Sequence, residues 1–315
     1  MVNKKVLISG ATSFVGSNLT NRLVKDNYET HILIRKNSDK WRLQDCYDKI
    51  NKHLVDLSEK EKLEAIVKEI QPGIIFHLAT QGIYDGIHSN EELLIKTNLI
   101  GTMNLINACG NLDYKCFVNT GSSSEYGVKN KPMKENDVCF PINMYGITKN
   151  ASTQFGKLIA KNKNKPIVSL RLFSPFGPFD RKERFMSYAI SNALQNKELN
   201  LGNPNSVRDY IFIEDVLEAY INIIDKAKEY SGEIFNIGSG NQNKISAVIE
   251  NIINISNSKS KINWNKSKPR DYDPKVWIAD INKSKDLLGW EPKYNLKQGL
   301  EKTVGWFKKN LENYK

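Results

Sequence analysis

The stretch that most constrains the fold of this 315-residue chain lies near its N-terminus. Val6-Leu7-Ile8-Ser9 is a short apolar run, read as a buried strand of a parallel sheet. Gly10-Ala11-Thr12-Ser13-Phe14-Val15-Gly16 follows at once, and Ser17-Asn18-Leu19 opens a helical pattern. A strand, a tight turn of small residues and a helix N-terminus together cradle a pyrophosphate. The first helical turn offers unpaired N–H groups and the positive end of the helix dipole. Ser13 stands where the usual pattern has its middle glycine, while Gly16 allows close helix–strand packing.

The same unit recurs along the chain. Strand candidates are Val6–Ser9, Thr30–Ile34, Lys52–Val55, Ile74–Leu78, Cys116–Thr120 and Ile167–Phe173. Between them lie helical stretches near Phe14–Asp26, Lys60–Ile70, Glu91–Cys109 and Asn143–Lys161. This alternation predicts an α/β fold, a Rossmann-type doubly wound parallel sheet with helices on both faces. Such sheets bind ligands at the carboxyl ends of their strands, where Gly10, Arg35, Asp56, Ala79, Ser122 and Pro175 fall. After Phe173 the rhythm changes. Turn clusters at Gly177–Asp180 and Gly202–Asn205 flank a helix near Arg184–Asn196. Ile211–Ile213, a helix over Asp215–Lys228 and Ile234–Ile237 then restore the strand–helix–strand order.

Tyr145 and Lys149 are four residues apart and share one helix face. An ammonium beside a phenol favours the phenolate and draws its pKa from ~10 toward neutrality. A nearby Ser hydroxyl, in the run Gly121-Ser122-Ser123-Ser124-Glu125-Tyr126-Gly127, can hold the oxygen that gains or loses a proton. These groups suffice for carbonyl/alcohol redox chemistry on a nicotinamide cofactor. Arg35 ends the second strand, where NAD-binding folds usually place a carboxylate for the ribose 2′-hydroxyl. A cation there would pair with a 2′-phosphate, which points to NADP(H). Stacking of Arg35 on the adenine leaves NAD(H) open.

A net charge of +11 raises the possibility of nucleic-acid binding, but the basic residues are dispersed. The run Lys161-Asn162-Lys163-Asn164-Lys165 carries no aromatics and reads as a solvated loop after a helix. No apolar run is long enough to span a bilayer, so no membrane partner is expected. The first strand starts near residue six, which leaves no room for a signal peptide and predicts a cytoplasmic protein. Cys46, Cys109, Cys116 and Cys139 read as free thiols, and no Cys/His spacing suggests a metal. His77, at a buried strand end, reads as structural. Gln81–Ser89, which includes Gly82, Gly86 and His88, reads as a mobile loop beside the site.

Further motifs follow in order: His77-Leu78-Ala79, Thr97-Asn98-Leu99-Ile100-Gly101-Thr102, Arg171-Leu172-Phe173-Ser174-Pro175-Phe176-Gly177-Pro178, Arg208-Asp209-Tyr210 and Leu288-Gly289-Trp290-Glu291-Pro292. With the first turn and the Tyr145/Lys149 pair, they make the chain resemble, almost end to end, the extended short-chain dehydrogenase/reductase family. The likeness is to its nucleotide-sugar epimerase, dehydratase and reductase branch. That resemblance implies a catalytic group of Ser122, Tyr145 and Lys149. It implies cofactor contacts from Gly10, Thr12, Ser13, Phe14, Val15, Gly16, Arg35, Asp56, Leu57, Leu78, Ala79, Asn98, Tyr145, Lys149 and Pro175. A nucleotide-diphosphate sugar would meet Ser123, Ser124, Arg208 and Arg270, the two Arg gripping its diphosphate. The resemblance also implies a dinucleotide-binding domain over 1–173, with 210–238 rejoining it, and a substrate cap over 174–209 and 239–315. It implies a homodimer formed through the helices near Glu91–Cys109 and Asn143–Lys161.

Three reactions suit this scaffold. A 4,6-dehydratase of the family needs an Asp and a Glu directly after the catalytic hydroxyl residue; Ser123 and Ser124 stand there, and Ser cannot replace a carboxylic acid as proton donor. Glu125 is carboxylic but one position off, so only a one-residue shift of the loop would make it the missing acid. A 4-epimerase keeps its cofactor bound and usually resembles NAD binders. A 4-keto-6-deoxy sugar 4-reductase takes hydride from exchangeable NADPH, which suits Arg35. The expected order is therefore reductase, epimerase, dehydratase; a non-catalytic NADP-binding protein would be expected to lose Tyr145 or Lys149.

Overall fold

The computed structural model describes residues 4–82, 90–266 and 274–314. The chain begins β1 (Lys5–Ser9), α1 (Phe14–Lys25), β2 (Glu29–Ile34), β3 (Asn51–Leu54), α2 (Lys60–Ile70) and β4 (Ile74–His77). It continues through α3 (Glu91–Leu94), α4 (Gly101–Ala108), β5 (Cys116–Ser122), α5 (Met144–Lys163) and β6 (Ile167–Leu172). Next come β7 (Ser174–Phe176), α6 (Phe185–Leu194), β8 (Leu199–Asn200), β9 (Val207–Arg208), β10 (Tyr210–Phe212) and α7 (Ile213–Asn222). The last elements are β11 (Ile234–Ile237), β12 (Asn243–Lys244), α8 (Ile245–Ser256), β13 (Ile262–Asn263), α9 (Asn282–Leu288) and α10 (Leu296–Asn310).

Two compact units emerge. The first comprises 1–127, 135–172 and 217–236. Its sheet has the order β11-β6-β5-β4-β1-β2-β3, with parallel pairing from β3 through to β6. The doubly wound sheet read from the sequence is therefore present. The inner strands β1, β4 and β5 carry apolar runs because both faces are covered there: Val6, Leu7, Ile8, Ile75, Phe76, Phe117 and Val118 are all fully buried, whereas the edge strand β3 is polar and largely exposed. On one face Leu7, Ile75, Phe117 and Ile167 pack with Leu63 and Val67 of α2, Leu105 and Ile106 of α4, and Ala160 of α5.

Local chemistry sets the ends of the helices. Ser13 caps α1 by accepting the Gly16 N–H at 3.2 Å, and Asn143 caps α5 by accepting the Gly146 N–H at 2.8 Å. α5 outruns its expected end: Lys161 and Lys163 form its last turn, where cations meet the negative end of the dipole, and Asn164 in the left-handed region stops it. The single helix expected over Glu91–Cys109 is broken between α3 and α4 by a π turn, Ile95–Ile100.

The second unit comprises 128–134, 173–216 and 237–315. It holds three two-stranded sheets, β7 with β10, β9 with β12 and β8 with β13. The expectation that Ile211–Ile213 rejoins the large sheet is therefore corrected. β10 pairs in parallel with β7, and Phe212 and Tyr210 pack their rings against Phe176. β10 runs straight into α7, and of the described elements in 210–238 it is β11 that enters the large sheet. Asp209, buried, holds this unit together by accepting hydrogen bonds from Ser239 N and Oγ, Gly240 N and Ala279 N.

Candidate active site

The turn after β1 has the shape of a phosphate cradle. Gly10 has φ +76°, and a Cβ there would lie 2.5 Å from Ala79 N. A Cβ on Gly16 would lie 2.1 Å from Gly10 O, so Gly10 lets the turn lie against the end of β4 and Gly16 keeps α1 against the turn. Ser13 needs no glycine: its φ is −76°, and its hydroxyl does the capping. The α1 N-terminus thus points its dipole across Thr12, Phe14 and Val15, and this cradle fits a dinucleotide pyrophosphate.

Around it stand the other carboxyl ends of the strands. Arg35 is exposed just past β2, and its backbone N–H donates to Ser38 Oγ at 2.9 Å. Its side chain lies within electrostatic reach of Asp56. Partial burial alone would raise the Asp56 carboxyl, but hydrogen bonds from Ser58 and the cations Arg35 and Lys96 hold it below its ordinary value. Leu57 is buried against Gly101, and Leu78 is also buried.

His77 closes β4 between Ser9 Oγ, 2.6 Å from Nδ1, and Thr102 Oγ1, 2.8 Å from Nε2. Thr102 already donates its proton to Asn98 O, so it accepts from Nε2–H, and Ser9 donates to Nδ1. Burial, with the nearby Lys149 cation, lowers the imidazole pKa to about 3, so His77 is neutral and joins β1, β4 and α4. Asn98, in the π turn, is saturated. Its amide donates to Gln81 O and Thr148 Oγ1, and its carbonyl accepts from Gln81 N and Thr80 Oγ1. It therefore ties the segment after β4 to α5.

Ser122 ends β5 and caps a short 3₁₀ turn, Ser123–Glu125, accepting from Ser124 N. Against this turn lies the start of α5: a Cβ on Gly146 would sit 2.4 Å from Ser124 O. Tyr145 follows Met144, the first residue of α5, and acts electrostatically on Tyr220, whose hydroxyl shares a 2.6 Å hydrogen bond with Thr120 on β5. Lys149 is buried one turn later. Desolvation lowers its pKa to about 8 against the opposing pull of the Glu125 anion. The structure thus gathers Ser122, Tyr145 and Lys149 where α5 crosses the end of β5.

Glu125 is not a spare acid. It is fully buried, Oε1 accepts from Ser122 N at 2.7 Å and Thr153 Oγ1 at 3.1 Å, and Oε2 accepts from Arg171 Nε at 2.7 Å. The loop shift that would make it a proton donor is excluded by these bonds. The signal for them was in the sequence: Ser122-x-x-Glu125 is the spacing of a capping box. Thr153 and Arg171 had no such signal.

In the second unit, Pro175 is buried on β7. The Arg208 guanidinium lies 5.5 Å from the centre of the Trp277 ring. The carboxylates of Asp209 and Glu214 have other partners, the former the 239–240 turn and Ala279, the latter Lys302. Arg270 and residues 83–89 lie outside the described residues. Among the described residues no cluster of His, Cys, Asp and Glu could hold a metal, and no helix is long and apolar enough to cross a membrane.

The profile of the GDP-mannose 4,6-dehydratase family matches residues 7–303. The chain belongs to that family, within the extended short-chain dehydrogenases/reductases. It is an enzyme of the nucleotide-sugar epimerase and dehydratase type. A protein of uncharacterised function from Methanocaldococcus jannaschii is 30% identical over 99% of this chain and 98% of its own length. The UDP-glucose 4-epimerase of Thermotoga maritima, solved with UDP-glucose, has 25% identity, covers 98% of this chain and 99% of its own, and superposes with a TM-score of 0.89. The UDP-glucuronic acid 4-epimerase of Bacillus cereus, solved with UDP-glucuronic acid and NAD, has 26% identity, 97% and 99% coverage and a TM-score of 0.85.

Proposed function

We propose that the protein is an NADP(H)-dependent oxidoreductase that acts at carbon 4 of a nucleotide-activated sugar, reducing a 4-keto-6-deoxy sugar to its 4-hydroxy product. The observation that carries this is the chemistry after Ser122. Ser123 and Ser124 offer no carboxylic acid and Glu125 is locked in a buried ion pair, so the site has redox groups without a dehydrating acid. Residues Gly10, Thr12, Ser13, Phe14, Val15, Gly16, Arg35, Asp56, Leu57, Leu78, Ala79 and Pro175 hold the dinucleotide, and Arg35 pairs with a 2′-phosphate. A reduced nicotinamide bound there supplies the hydride for carbon 4. Ser122 Oγ orients the carbonyl oxygen, Tyr145 gives it a proton, and Lys149 stabilises the phenolate left behind. Arg208 and Arg270 grip the substrate diphosphate, as planar donor forks suited to phosphate. The active species is a homodimer in the cytoplasm.

A second reading, reversible 4-epimerisation with a retained cofactor, is favoured by the likeness to the two epimerase structures. Deuterated NADPH separates the two. Incubation with CDP-, dTDP-, UDP- and GDP-linked 4-keto-6-deoxy sugars is expected to put one deuterium on carbon 4 for each NADPH consumed, read by NMR. Interconversion of an unreduced nucleotide sugar with its carbon-4 epimer, with no added cofactor, would replace the first reading by the second.

A further inference from the structure

We infer that Glu125 and Thr153 form a clamp that sets the position of Ser122 relative to Tyr145 and Lys149, and that both are positioning residues of the reaction. This rests on the reading of Ser122, Tyr145 and Lys149 as the catalytic group. Tyr145, Lys149 and Thr153 succeed one another at intervals of four along α5, so they form one stripe on one face. The lowest of them, Thr153, donates to Glu125 Oε1, and the same oxygen receives the N–H of Ser122. One carboxylate oxygen thus joins the strand that carries the Ser to the helix that carries the Tyr and Lys. The other oxygen is held by Arg171 Nε on the neighbouring strand β6, so the carboxylate cannot turn.

The energetics argue that this arrangement is more than packing. Glu125 and Arg171 are 0% and 1% exposed, and burying an ion pair is generally no more stabilising than burying apolar side chains of similar size. What such a pair supplies is a fixed geometry. The surrounding groups keep it satisfied: Arg171 also reaches Glu135 O and Cys139 Sγ and stacks 4.5 Å from the centre of the Tyr126 ring. Lys149 shares a helix face with Tyr145 and lies within electrostatic reach of His77 at the end of β4 and Glu125 after β5; since His77 is neutral, Glu125 is the anion among them. The carboxylate that the clamp holds is thus also the anion that offsets part of the desolvation of Lys149.

Removing the Glu125 carboxylate strands Arg171 and threatens folding, so the decisive variant is Thr153→Val, which deletes one hydroxyl and leaves the ion pair. With the substrate that the wild type turns over, kcat is expected to fall about tenfold with KM for substrate and cofactor unchanged. Thr153→Ser is expected to restore kcat to within about twofold. A kcat for Thr153→Val within about twofold of wild type, in folded protein, would overturn the clamp. If the wild type turns over neither a 4-keto sugar with NADPH nor an unreduced nucleotide sugar, the functional reading fails and ionisation of Tyr145 decides the clamp. The tyrosinate absorbance step of Tyr145, isolated by subtracting Tyr145→Phe, should move to higher pH in Thr153→Val as Lys149 loosens; an unmoved step overturns the clamp.

Discussion

At the residue scale the proposed chemistry turns on two side chains that solvent treats differently. Tyr145 is partly exposed and Lys149 is buried. Tyr145→Phe is expected to lower kcat by about 10²–10⁴ while the cofactor dissociation constant, measured by fluorescence titration, stays close to wild type. For Lys149 the sign of the pH dependence follows from burial. Its pKa of about 8 lies below the ordinary 10.5, so the ammonium is lost, and turnover with it, as pH rises through about 8. In the same window the unfolded chain binds more protons than the folded one, so stability rises from pH 8 toward 10.5. At pH 7 the buried cation costs up to roughly 3 kcal/mol, and Lys149→Met should raise the unfolding free energy by up to that amount while stopping turnover. Denaturant melts at pH 7 check this; destabilisation would mean that the charge is better solvated than its burial indicates. Arg35 should give NADPH a preference over NADH of about ten- to a hundredfold in kcat/KM, which Arg35→Asp should erase. Equal use of both cofactors by the wild type would remove the proposed phosphate contact.

At the element scale the pyrophosphate turn is a packing feature before it is a binding feature. Because a Cβ on Gly16 would meet Gly10 O at 2.1 Å, Gly16→Ala should push α1 off the turn. A loss of dinucleotide affinity of at least about tenfold is expected, as the N–H groups of the first turn move out of line with the phosphates. Isothermal titration with NADPH and NADH measures it, and unchanged affinity for both would refute the cradle. The break between α3 and α4 shows the limit of periodicity. Thr97–Thr102 reads as regular helix, yet Asn98 satisfies groups on the segment after β4 and on α5, and the backbone widens to a π turn to bring it there. No local preference announces that, since the partners are far away in sequence.

At the scale of the whole molecule, exposed apolar side chains mark the proposed dimer surface. Ile95 and Ile100 on the π turn and Ile147 and Leu158 on α5 are 39–55% exposed. Light scattering on a sizing column is expected to give about twice the 36.0 kDa of the chain, and Ile100→Glu with Leu158→Glu to give the monomer. A monomeric wild type at micromolar concentration would end that proposal.

Whatever rests on near neighbours was legible in the chain itself. Apolar runs of strand length and the glycines of the first turn specify the doubly wound sheet, and the Tyr145/Lys149 interval puts both side chains on one helix face, because backbone sterics and helix geometry act over a few residues. Even the buried state of Glu125 was half-written in its distance from Ser122. Three matters needed the tertiary structure. β10 pairs with β7 rather than with the large sheet, His77 and Asn98 are saturated by distant partners, and Glu125 is fixed by Thr153 and Arg171 from two other elements. Each depends on which groups meet after the chain has folded back on itself. A buried hydrogen-bonding group must be paired, but its sequence does not say by whom.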